Sequence, residues 1–91
     1  MRMAYHVRFT KKSLKQLKNF DKSVLAMLKL WITNNLENSD NPRAKGKALV
    51  GDMKGYWRYR VGEYRIIADI VDDELVIILV SVAHRREVYD H

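Results

Sequence analysis

The chain contains no cysteine. That removes disulfides, thiolate nucleophiles and cysteine-based zinc sites, and it suits a reducing compartment. Proline occurs once, at Pro42, and glycine four times, too few for a flexible linker or a low-complexity segment. Long apolar runs are also missing. The most apolar stretch, Leu75 to Ala83, is far shorter than the ~20 residues of a membrane-spanning helix. Met1 to His6 lacks the apolar core of a secretion signal. There is no P-loop, no GxGxxG, no nucleophile elbow and no zinc spacing. Carboxylate clusters and paired histidines at ligand spacing are absent too, and Asp72-Asp73-Glu74 reads as a solvated turn. The expectation is one soluble, cytoplasmic domain spanning residues 1–91, with no metal, no cofactor and no membrane contact.

What the chain has is positive charge. Lys and Arg number 17 against 11 acidic residues, a net charge of +6, with an isoelectric point near 9.7. Such a balance attracts polyanions and speeds encounter with them. A nucleic acid or an acidic protein is the implied partner; the plain alternative is a basic protein kept soluble by its charge.

Tyr5 to Phe9 alternates and reads as a strand. Thr10 is placed to cap a helix over Lys11–Phe20, with Leu14, Leu17 and Phe20 inward. Asp21 caps a second helix reaching Leu36, with Val24, Leu25, Leu28, Trp31 and Ile32 inward. Phe20 and Leu25 are spaced for a hydrophobic staple. Glu37 to Gly46 reads as a polar loop, and three strands follow: Tyr56–Val61, Tyr64–Val71 and Leu75–Ala83. The predicted fold is α+β in the order β-α-α-β-β-β, with a two-helix hairpin on one face of a mostly antiparallel four-stranded sheet.

Gly62-Glu63 has glycine where a type II′ hairpin turn requires it. That turn sets Val61 opposite Tyr64, Arg60 opposite Arg65, Tyr59 opposite Ile66 and Arg58 opposite Ile67. Alternation then places Trp57, Tyr59, Val61, Tyr64, Ile66, Ala68 and Ile70 on a helix-bearing face. Arg58, Arg60 and Arg65 share the other, with Asp69 as the carboxylate these two strands add there. Like charges side by side on a sheet repel, so an external anion is the natural answer; splaying into solvent is the other. A two-residue turn at 72–73 or 73–74 carries Val76, Ile78, Val80 and Val82 onto the arginine face and brings His84 to its edge. A three-residue turn reverses that phase. On the first reading His84, Arg85 and Tyr89 approach Arg58 and Arg65.

The chemistry of that patch is narrow. Arginine orients a phosphodiester and stabilises charge developing on it, but cannot accept a proton. His84 can, since imidazole titrates near neutrality. Tyr89 can stack on a base or hydrogen-bond a phosphate; with an ordinary pKa of about 10 it is a weak base. This points to metal-free RNA cleavage, in which a 2′-OH attacks the adjacent phosphate. The competing reading of His84-Arg85-Arg86-Glu87-Val88-Tyr89 is a polar tail after an apolar strand.

The element order, the segment Tyr56-Trp57-Arg58-Tyr59-Arg60-Val61-Gly62-Glu63-Tyr64-Arg65-Ile66-Ile67, the upstream Gly46-Lys47-Ala48-Leu49 and the terminal His84-Arg85-Arg86-Glu87-Val88-Tyr89 together resemble the RelE/ParE superfamily of bacterial toxins. The resemblance spans essentially the whole chain and implies the RelE-like microbial ribonuclease fold. It implies a type II toxin that cuts mRNA in the ribosomal A site, and a cognate acidic antitoxin that binds it as a hetero-oligomer. Arg58, Arg65, Arg85 and Tyr89 match basic and tyrosine positions of the family's cleft; with His84 they form the expected catalytic set. Arg60, Lys47, Lys45, Arg86, Lys54, Lys11 and Lys15 are the expected RNA contacts, although a solvated helix face accounts for the last two equally well. One branch of the family has a lysine base where this chain has Tyr56, so that role does not carry over. His84 replaces it, with Lys47 as a second candidate. No extended helix is expected after Tyr89. A gyrase inhibitor of the ParE kind and a non-catalytic RNA- or ribosome-binding module are the alternatives.

Overall fold

A computed structural model describes residues 3–88. The elements are β1 (His6–Phe9), α1 (Lys11–Lys18), α2 (Lys22–Asn35), β2 (Gly46–Ala48), β3 (Trp57–Val61), β4 (Tyr64–Val71), β5 (Val76–His84) and α3 (Arg85–Val88). The sheet has five strands in the order β1-β5-β4-β3-β2. β1 runs parallel to β5 and the other pairings are antiparallel. The α+β class and the helices on one face are as expected; the strand count is one higher.

The added strand is β2, inside a stretch that reads as loop. It pairs Gly46, Lys47 and Ala48 with Tyr59, Arg58 and Trp57. Three residues carry too little alternation to signal a strand. What admits the strand is Gly46: a Cβ there would lie 2.5 Å from the Arg58 carbonyl oxygen and 2.6 Å from the Trp57 ring, closer than any side chain can sit.

Thr10 caps α1 by accepting from Ser13 N at 3.1 Å. Asp21 occupies the cap position of α2, but its side chain makes no capping bond. Leu17, Leu28, Ile32 and Leu36 are buried against Tyr59, Val61, Ile66, Ala68, Ile77, Leu79 and Val82 of the sheet, with Phe20, Val24, Leu25 and Trp31 packed around them. Leu14, expected inward, is 42% exposed because α1 ends at Lys18 and points only Ser13 and Leu17 squarely at the sheet. Tyr59 is fully buried; its hydroxyl donates to the Pro42 carbonyl, tying the loop before β2 to the core.

The β3–β4 register is the expected one in all four pairs, with Gly62 at φ 58° and Glu63 outside the left-handed region. The β4–β5 connection differs. Residues 72–75 form a 3-10 turn closed by Leu75 at φ 55°, so Val71 pairs with Val76. This longer loop preserves the phase, and Val76 and Ile78 lie on the arginine face. A bulge then intervenes: Ala68 pairs with Leu79 but Ile67 with Ser81. The extra residue, Val80, inverts every side chain after it. Val82 and His84, expected on the arginine face, therefore lie on the helix face, opposite Ile66 and Tyr64.

The first helix fills the bulge. Gln16 Oε1 accepts from Val82 N at 2.7 Å, and Thr10 Oγ1 donates to Val80 O at 3.1 Å. Val82 is 1% exposed, so without Gln16 its amide would be a buried orphan. Elsewhere, Asp72 receives Tyr5 Oη at 2.6 Å and both Arg43 terminal nitrogens at 3.0 Å. Glu37 accepts from Val7 N at 2.9 Å and meets His6 Nδ1 at 3.0 Å.

Replacing Gln16 with Leu is expected to cost about 1–3 kcal/mol, the desolvation penalty of an unpaired buried amide, read as a lower urea midpoint. Acid sensitivity follows from the two carboxylates. Hydrogen bonds from Arg43, then Tyr5, hold Asp72 below its ordinary range; the Val7 amide, then His6, does the same for Glu37. A depressed folded-state value means stabilisation that is complete above the unfolded value and lost as pH falls through the folded one. The melting temperature should therefore drop below about pH 4. The Asp72→Asn, Glu37→Gln double variant should show a flatter acid limb; an unchanged limb would assign acid denaturation to other groups.

Candidate nucleic-acid interface

Two rows cross the sheet face opposite the helices. The first is Lys47, Arg58, Ile67 and Ser81; the second is Arg60, Arg65 and Ala83. An open groove of about 320 Å³ lies over the β2–β3 edge, lined by Ala44, Lys45, Gly46, Lys47, Arg58 and Arg60. Lys45, Lys47 and Arg60 are exposed and Arg58 is half-buried. β2 makes this groove, since it places Lys47 directly opposite Arg58. Ala44 and Gly46 shape its wall without charge, which is why residue type alone does not reveal them.

Arg65 is not presented like its neighbours. It is 5% exposed, and its Nη1 donates to the carbonyls of Gly62 at 3.2 Å and Tyr64 at 3.0 Å. The guanidinium thus grips the hairpin backbone. Asp69 lies on the same face, half-buried, opposite Ile78.

His84 does not join Arg58 and Arg65 on their face. Its ring packs edge-on against Tyr64, with centroids 5.4 Å apart, and Tyr64 packs in turn on Phe20 at 5.2 Å. His84 Nε2 is 4.0 Å from Glu63 Oε1. Arg85 and Arg86 follow at the start of α3 and are exposed. Tyr89 lies outside the described residues. Lys54, exposed, sits in the β2–β3 connection outside the groove lining. Lys11 and Lys15 are on α1, across the sheet from the groove. Nothing in the sequence marks Glu63 as a site residue; the pairing of Tyr64 with His84 puts it beside the end of β5.

The arrangement can hold a chain of phosphates along the groove. Among the described residues, no group of three or more His, Cys, Asp or Glu could hold a metal ion, and no helix is long and apolar enough to cross a membrane.

A family model described as the ParE toxin of type II toxin–antitoxin systems matches residues 7–89. The chain belongs to this family, within the RelE/ParE superfamily. It is 30% identical over 87 residues to the toxin RelG of Mycobacterium tuberculosis, spanning 96% of this chain and 98% of that one. It is 30% identical over 90 residues to the mRNA interferase toxin RelE of Escherichia coli, spanning 96% and 92%. Among solved structures, it resembles the toxin–antitoxin complex RelBE2 of M. tuberculosis, with TM-score 0.83, 27% identity and coverage of 93% and 95%. The isolated E. coli RelE toxin gives TM-score 0.72 and 26% identity, covering 96% and 93%.

The burial contrast separates the arginines by experiment. Arg58→Ala and Lys47→Ala should leave unfolding free energy within about 0.5 kcal/mol of the parent while weakening binding to single-stranded RNA. Arg65→Ala should cost about 1–3 kcal/mol. Equal stability of all three variants would show that the Arg65 contacts to Gly62 and Tyr64 contribute nothing.

Proposed function

We propose that this toxin is a metal-independent, ribosome-dependent mRNA endonuclease that cleaves codons in the ribosomal A site and so inhibits translation. The observation that carries the reading is the groove of Lys45, Lys47, Arg58 and Arg60 on the sheet face opposite α1 and α2. Support comes from the relative named as an mRNA interferase, which aligns over 96% of the chain. Arg58 and Arg60 hold the phosphodiester and neutralise the charge that builds on its oxygens. The 2′-OH attacks phosphorus, the P–O5′ bond breaks, and the products are a 2′,3′-cyclic phosphate and a 5′-OH. His84, at the end of β5, and Arg85, at the start of α3, act with Tyr89. Arg65 contributes by holding the hairpin that carries Arg58 and Arg60. For the proton acceptor two candidates stand: His84 at the rim of the sheet, and Lys47, which the register places beside Arg58. Lys11 and Lys15 form a separate basic surface for ribosomal RNA or antitoxin. The partner that restrains the toxin is a cognate acidic antitoxin, as in the solved complexes of its structural neighbours.

Primer extension on a defined mRNA, with and without translating ribosomes, tests this. Cuts within A-site codons only on ribosomes are expected. His84→Ala, Lys47→Met and Tyr89→Phe should each be assayed; the proton acceptor is the group whose loss lowers the cleavage rate by about 100-fold or more. Cuts on free RNA would make the enzyme ribosome-independent. No cuts in either case would remove the nuclease reading and leave gyrase inhibition, tested by DNA supercoiling.

A further inference from the structure

Glu63 is the second central residue of the β3–β4 turn, a position that makes no demand on its side chain. It nevertheless makes three contacts with the residues at the end of β5. Its carbonyl accepts from Arg85 N at 2.7 Å. Its Oε1 is 3.5 Å from Arg85 Nε and 4.0 Å from His84 Nε2. The His84 ring is bounded elsewhere by the edge contact with Tyr64 and by Arg86 N, which donates to Nδ1 at 3.3 Å. An accepting Nδ1 puts the proton of the neutral ring on Nε2, the nitrogen turned to Glu63.

Magnitudes decide what these contacts are for. The side chains of Glu63 and Arg85 are 56% and 52% exposed, and a pair that wet adds little stability. Its consequence is orientation. Glu63 engages Nε, the inner nitrogen of the guanidinium, and leaves the two terminal nitrogens to grip a phosphate. We propose that Glu63 is a positioning residue, holding the Arg85 guanidinium and the His84 imidazole in the orientation from which they meet an RNA phosphodiester. This role rests on the cleavage reading given above. The carboxylate does not touch the RNA; it acts through the two side chains it fixes.

Glu63→Gln removes the charge and keeps the carbonyl and the side-chain length. In the full chain it should leave the melting temperature unchanged. Single-turnover cleavage on programmed ribosomes should fall about tenfold in rate with little change in half-saturating ribosome concentration, the signature of lost orientation. The Arg85 Nε–H and His84 ring signals, followed by NMR, should move from their parent positions, because the carboxylate that faces both no longer carries its charge. An unchanged rate overturns the proposal, as do unmoved Arg85 and His84 signals. Should the parent not cleave at all, the nuclease reading falls by itself, and the NMR comparison still decides whether Glu63 holds the two side chains.

Discussion

The hydrogen bond from Val82 N to Gln16 Oε1 lies where helix, sheet and site meet. β5 is flanked by β1 and β4, so its phase sets what both faces of the sheet present. A regular β5 would turn Val82 outward. The bulge turns it inward, where it is almost completely buried among Ile66, Ile77 and Leu79. Bulges leave a backbone amide without a ladder partner, and here α1 supplies the missing acceptor. Thr10, which caps that helix, bonds the carbonyls of Leu79 and Val80 on the same stretch. Docking of α1 and the conformation of β5 are thus one event.

Electrostatics follow from that layout. The helices cover one face, so cations on the other are kept from burial in the core, and β2 gathers them into a groove. Arg65 is the exception that makes its neighbours available. By bonding the hairpin carbonyls it stiffens the turn. Glu63, in the same turn, reaches the opposite way to Arg85 and His84. One short turn therefore links the strands that carry Arg58, Arg60 and Arg65 to the basic segment after β5.

Membership of the ParE toxin family and the likeness to RelE toxins agree with a fold whose catalytic demands are few. Cleavage through a 2′-OH needs placed cations and a proton acceptor. A small sheet can offer both without a metal or a deep pocket.

The sequence by itself determined whatever depends on neighbours in the chain. Gly62 dictated a turn, the turn dictated the β3–β4 register, and alternation put Arg58, Arg60 and Arg65 on one face. Thr10 and the apolar spacing of Leu17, Leu28 and Ile32 specified the helices and their buried sides. Composition specified the charge. Tertiary structure alone decided the bulge, because the acceptor that satisfies it comes from Gln16, 66 residues before Val82. It decided β2 as well, because three residues become a strand only where the Trp57 ring and a bare Gly46 let two backbones meet. The side of the sheet reached by His84 was settled the same way. In each case a contact distant in sequence outweighed a local pattern that pointed elsewhere.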